Sequence, residues 1–175
     1  MVRHTRPQVA DGTCYGRTDL DVADGFEVAA DQIIATLPAA AKIVTSPLQR
    51  CAKLAARIST AFGQTVTVDE RFMEMDFGQW ENRAWRDIPR AELDAWASDF
   101  YHARPHGGES VAMLDARVKA ALSDLSTAPH PTLIVTHAGV VRAAAAKGIT
   151  ADSFQTQIEF GGILRLAEQE RRPDE

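Results

Sequence analysis

Cysteine is scarce in this chain: Cys14 and Cys51 are the only two among 175 residues. That is too few for a disulfide framework, and the expectation is of reduced thiols in a cytoplasmic protein. Each thiol is either a small buried hydrophobe or a pocket-lining group. Long apolar runs are missing too. None approaches the roughly 20 residues of a membrane span, and the N-terminus lacks the basic-then-apolar order of a signal peptide, so no membrane partner is expected. Positive charge is in deficit, with 19 Lys and Arg against 24 Asp and Glu, a net charge of −5. A broad nucleic-acid footprint needs the opposite balance. No Pro-, Ser- or Gly-rich linker divides the sequence, so residues 1–175 are expected to fold as a single domain.

What is present is an alternation of helical patterns with short β-rich runs, which predicts an α/β fold: a three-layer sandwich with a mostly parallel central sheet and helices on both faces. Residues 1–4 form a truncated first strand. Residues 11–21 read as a loop, and 22–37 carry apolar residues at helical spacing up to Pro38. Residues 42–45 are a second strand. Ser46-Pro47 supplies a helix start, with Ser as N-cap and Pro at the first helical position, and the helix runs from 48 to 62. Residues 65–68 are a third strand, and 70–85 an irregular stretch too polar for core. Helices are expected over 90–101, 110–125 and 140–147. Residues 132–136 form the most apolar strand, expected to be central, and 156–166 close the chain as a hairpin around Gly161-Gly162.

Four of these elements carry chemistry. Arg3-His4 ends the first strand, Arg50 lies on the helix after the second, Glu74 lies in the irregular stretch, and Thr136-His137 ends the central strand. Carboxyl ends of strands in an open α/β sheet share one crevice, so these groups can meet. The set suits a phosphate ester. Arg3 and Arg50 would hold phosphate oxygens with planar forks, and a neutral imidazole can attack phosphorus and split the hydrolysis into two steps. His4, beside Arg3, is the candidate nucleophile, because guanidinium charge disfavours imidazolium. His137 would donate to a phosphoryl oxygen, helped by the amide of Ala138 at the following helix start. Glu74 is the candidate general acid, its apolar neighbours favouring the protonated form by desolvation. Asp76 and Glu81 are the competing acids.

The chain resembles the histidine phosphatases of the phosphoglycerate-mutase-like superfamily. The likeness rests on Val2-Arg3-His4, on Ser46 through Ala52, on Glu74 with Phe77-Gly78-Gln79-Trp80-Glu81, on Gly107-Gly108-Glu109-Ser110, and on Val135 through Gly139. It implies a phosphomonoesterase working through a phosphohistidine, with a small-molecule substrate and without cofactor or metal. Cys14 through Asp19, together with Phe77 through Glu81, are most similar to the short α-ribazole phosphatases of cobalamin biosynthesis, which implies α-ribazole 5′-phosphate as substrate. Two positions depart from the pattern. Thr5 stands where the family has Gly, and Asp11 where it commonly places a polar phosphate ligand, so Thr5, Arg17 or a backbone amide is expected to substitute.

Weaker substrate contacts are assigned to Arg17, Trp80 and Glu109. Trp80, Trp85, Phe100 and Tyr101 form either an aromatic wall for a flat base or part of the core. Glu109 is either a pocket-edge group or a helix-start carboxylate. His102 and His106 have the spacing of a metal pair, but Pro105 and Gly107 break any helix there. The rival functions are a broad sugar-phosphate phosphatase, a phosphoglycerate mutase, disfavoured by the short stretch between Trp85 and Gly107, and a catalytically inactive phosphoester-binding module.

Overall fold

The computed structural model describes residues 1–38, 42–126 and 131–166; the last nine residues of the expected single domain lie outside the described residues. In chain order the elements are β1 (Val2–Arg3), β2 (Thr13–Cys14), α1 (Phe26–Thr36), β3 (Lys42–Thr45), α2 (Gln49–Phe62), β4 (Val66–Val68), β5 (Arg83–Ala84), α3 (Arg90–Ser98), α4 (Val111–Ser126), β6 (Thr132–Thr136) and α5 (Ala138–Ala145), with short 3-10 turns between them. Among the described residues no helix is long and apolar enough to cross a membrane.

The main sheet has the order β1-β6-β3-β4, and each of its pairings is parallel, with Val2 opposite Val135, Thr45 opposite Val135 and Thr45 opposite Val68. The apolar strand β6 is therefore internal, as its composition predicts. Alternation along the strands sends side chains to two cores. Ile43, Leu133 and Val135 pack with Ala30 and Ile33 of α1 and Leu54 and Ile58 of α2. Val44 and Ile134 face the other way, onto Leu114 and Val118 of α4 and Val140 and Val141 of α5. The result is the expected three layers.

The remaining differences from the sequence expectations have local causes. Helix α2 begins at Gln49, not at Pro47, with Leu48 in the cap position; its first amide is capped from a distance by Asp19 Oδ1 at 2.7 Å. The loop over 11–21 contains β2, which pairs antiparallel with β5, Thr13 opposite Ala84. The stretch 70–85 is not too polar for core: Phe72, Met75 and Trp80 are all buried. The closing hairpin does not form. Ile163 makes an isolated antiparallel bridge to Val2, so this segment straps the outer side of β1 instead of pairing with itself.

Candidate active site

Arg50 enters the molecule because it shares a helical stripe with Leu54 and Ile58, all of them buried. His4 follows β1 and His137 follows β6, and the parallel pairing of these strands puts both rings at one edge of the sheet, their centroids 5.1 Å apart. His4 Nδ1 lies 2.6 Å from the Thr5 carbonyl oxygen. A carbonyl only accepts, so Nδ1 carries the proton and Nε2 keeps a lone pair. The ring is held neutral, its pKa brought down to about 3 by burial first, then by the Arg50 charge and, more weakly, Arg3, against the opposing bond to Thr5. The sequence reading credited the arginines; burial is the larger cause. His137 is displaced downward as well, by burial first and then by its neighbours, among them the charges of Arg50, Arg117 and Arg3.

The residues assigned to phosphate are partly committed to the protein. Arg50 donates from Nη1 to the Thr18 carbonyl at 2.8 Å and from Nη2 to that of Gly16 at 2.6 Å. Arg3 donates from Nη1 to the Ile158 carbonyl at 2.7 Å, and its guanidinium lies 3.8 Å from the centroid of the Phe160 ring. Arg3 Nε, Arg50 Nε and the Thr5 hydroxyl are buried and have no partner among the described residues. Buried polar atoms are rarely left unpaired without a reason, and these three belong to residues assigned to phosphate. Ala138 opens α5, so its N–H is one of those that a helix start leaves without an intrahelical acceptor. Asp11 is remote in character: it is 90% exposed and paired with Arg6.

Glu74 reaches the same helix start. Its Oε2 accepts from Gly139 N–H at 3.1 Å and its Oε1 from Met75 N–H at 2.9 Å, so two main-chain amides fix where the carboxyl group sits. The competing acids are occupied. Glu81 accepts from the amides of Arg17, Thr18 and Phe77 and from the Thr18 hydroxyl, and Asp76 closes a turn on Gly78 N–H at 2.8 Å.

Among the weaker substrate contacts, Trp80 needs correction. It is wholly buried, donates to Glu92 at 2.6 Å, and packs with Cys14 and Ile88 in a satellite core with Trp85 alongside. Phe100 and Tyr101 pack on a different core, so the four aromatics form no common wall. Glu109 is neither a pocket edge nor a helix cap: it is buried and paired with Arg117 at 2.7 Å. Arg17, half-buried, donates to the Glu74 carbonyl at 3.3 Å and faces Glu109 at 3.5 Å. His106 is buried against Trp80, ring centroids 4.8 Å apart, while His102 is exposed against Tyr101. Cys14 behaves as a buried hydrophobe, its thiol pushed up to about 12 by burial. Cys51 is a buried hydrophobe too, packed in the core with Leu54 and Ile58, and its Sγ touches the His137 ring, 3.4 Å from Nε2.

Three site residues escaped the sequence reading. The Ser46 hydroxyl, expected to cap a helix, lies 2.8 Å from His137 Nε2 and holds that ring. Phe160 lies against His4, ring centroids 5.6 Å apart. Arg117 binds the backbone around Glu74. Only Ser46 left a sequence signal, its place in the motif containing Arg50.

A parallel α/β sheet whose edge presents two neutral imidazoles among guanidinium groups defines an enzyme built to handle phosphate. The chain belongs to the histidine phosphatase superfamily (branch 1), whose model it matches over residues 1–172. It is similar to a glucosyl-3-phosphoglycerate phosphatase of Mycolicibacterium vanbaalenii, 29% identical with 88% of this chain and 76% of that protein covered. It is also similar to the adenosylcobalamin/alpha-ribazole phosphatase of Escherichia coli, 31% identical over 57% of this chain and 51% of that protein. Among solved structures, the alpha-ribazole phosphatase of Shigella flexneri superposes with a TM-score of 0.79 at 27% identity, covering 91% of this chain and 85% of that one.

Proposed function

We propose that the chain is a phosphomonoesterase that works through a phosphohistidine at His4. The observation that carries this reading is a neutral, buried His4 whose Nε2 keeps its lone pair, flanked by Arg3 Nε, Arg50 Nε and the Thr5 hydroxyl, which have no partner among the described residues. Nε2 attacks phosphorus, and the P–O bond to the alcohol breaks as Glu74 gives its proton to the departing oxygen. Water then attacks phosphorus and loses a proton to the Glu74 carboxylate, the P–N bond breaks, and inorganic phosphate leaves. His137, held by Ser46, donates to a phosphoryl oxygen throughout, and the arginines offset the charge on the others.

For the alcohol, the notable likeness is to α-ribazole phosphatases, yet the two segments that carry it grip each other through Glu81. They build the wall of the site, and their likeness weighs little on the choice of alcohol. The glucosyl-3-phosphoglycerate relative covers more of the chain, 88% against 57%, so α-ribazole 5′-phosphate and glucosyl-3-phosphoglycerate are the two substrates to set side by side. The decisive experiment is acid-free quenching with a 32P-labelled monoester. We expect a protein-bound, acid-labile phosphate that is absent in His4→Ala, with turnover down by more than about a thousandfold. Label retained in His4→Ala sinks the mechanism, and a kcat/KM for α-ribazole 5′-phosphate no better than for the glucosyl ester removes the cobalamin reading.

A further inference from the structure

Arg117 lies on α4 within the stripe of Leu114, Val118 and Ala121, which are buried, so its charged head is driven into the layer between α4 and the segment carrying Glu74. There each of the five N–H donors of its guanidinium finds an acceptor. Nε and Nη2 bind the two Glu109 oxygens at 2.7 and 2.8 Å. Nη1 binds the carbonyls of Arg71 and Met73 at 2.7 and 2.8 Å, and Nη2 also binds that of Glu74 at 3.0 Å. Three of the five acceptors are thus main-chain oxygens of the residues leading to and including Glu74. A second guanidinium, Arg17, reaches the same Glu74 carbonyl at 3.3 Å. Its neighbours in sequence, Gly16 and Thr18, anchor Arg50.

We infer that Arg117, locked by Glu109, is the positioning residue for the general acid of the reaction. The inference rests on the reading of Glu74 as that acid. The Glu74 side chain hangs from backbone that the Arg117 fork pins at three carbonyls, and its carboxylate then spans to Gly139 on α5. Glu109 keeps the fork oriented and supplies the charge that lets a guanidinium be buried there. Arg17 couples this clamp to the loop that holds Arg50, so the phosphate ligand and the acid are set from one network. Lysine cannot replace the fork, because an ammonium has three donors and no fixed plane.

The test compares an alkyl phosphate, glycerol 3-phosphate, with p-nitrophenyl phosphate, whose leaving group needs little protonation. Full-length Arg117→Lys and Glu109→Gln are measured beside Glu74→Gln, with circular dichroism and thermal melting to establish the fold. We expect Arg117→Lys to lose about tenfold or more in kcat/KM on the alkyl ester and about twofold or less on the aryl ester, because kcat/KM reads the phosphorylation step alone, whereas hydrolysis of the phosphohistidine, with Glu74 as base, is common to both esters. Glu109→Gln follows in the same direction with a smaller loss, and it carries the comparison if Arg117→Lys does not fold. Equal losses in kcat/KM on both esters overturn the inference. If Glu74→Gln itself shows no alkyl-aryl split, the acid reading falls and this one with it. A split in Glu74→Gln without one in either clamp variant overturns the positioning role alone.

Discussion

An imidazole buried beside two arginines takes up its proton only in strong acid, and for His4 the value is brought down to about 3. In the unfolded chain the same ring titrates near about 6.5. Between those values the unfolded state binds a proton that the folded state refuses, so the stability due to this group is fully present above about 6.5 and is lost as pH falls toward 3, by a few kcal/mol in all. His137 shifts in the same direction and adds to the slope. Urea unfolding of the wild type is therefore expected to show a lower midpoint at pH 4.5 than at pH 7, and His4→Asn a smaller fall; equal falls would assign the effect to other groups. With His4 as the proposed nucleophile, the same shift predicts that kcat/KM has no acid limb at about 6.5 from that residue. A half-maximal rate at that pH, with a substrate already dianionic there, would contradict a nucleophile kept neutral by its surroundings.

At the scale of elements, two glycines separate function from stability. Gly139 stands in the first turn of α5 with ordinary helical backbone, and a Cβ there would overlap Glu74 Oε1, the far end of a flexible side chain. Gly139→Ala is thus expected to keep or raise the melting temperature, since alanine favours a helix by about 1 kcal/mol over glycine, while displacing Glu74, the proposed acid, and lowering kcat/KM for alkyl phosphates about tenfold more than for aryl ones. Gly108 meets main chain instead: a Cβ there would overlap the Asp76 carbonyl and come within 2.8 Å of Gly78 N. Backbone cannot swing aside, so Gly108→Ala is expected to cost about 2 kcal/mol or more in denaturant unfolding. A Gly139→Ala that melts early with no change in the alkyl-to-aryl ratio would refute the contact with Glu74. The same elements show what local sequence can announce. Arg50 and His137 were legible because each sits at the edge of an element with a strong pattern of its own, the stripe of α2 and the apolar run of β6. The true start of α2 was not, because its capping carboxylate, Asp19, comes from 30 residues away.

Over the whole molecule, legibility follows the distance between partners. The three layers and the central place of β6 follow from periodicity, which is local. Strands β2 and β5, two residues each and brought together across the chain, have no period to read. Arg117 and its carbonyl acceptors are 43 to 46 residues apart, and nothing in a helical stripe says that one of its members is a clamp. The C-terminal segment misled for a different reason. Gly161-Gly162 is a turn signal, but the strand to be paired was β1 rather than a second half of a hairpin: Arg3 N–H donates to Gly162 O at 3.0 Å, and Gly161 N–H reaches the carbonyls of Arg3 and His4, both at 3.1 Å. This strap therefore holds His4, the proposed nucleophile, from a segment more than 150 residues away. Gly161 has φ +74, and a Cβ would lie 2.7 Å from Ile33 Cδ1 on α1, so Gly161→Ala meets both a strained backbone and a core contact. The expected cost is about 1–3 kcal/mol, a fall of roughly 2–12 °C in melting temperature for a domain of this size. Because the displaced amide rests on His4 and not on Glu74, activity is expected to drop in equal proportion on alkyl and aryl phosphates, and Ile33→Ala is expected to cost less stability in the Gly161→Ala background than alone. A leaving-group split in Gly161→Ala, or a melting temperature unmoved, would show that the strap does not hold His4.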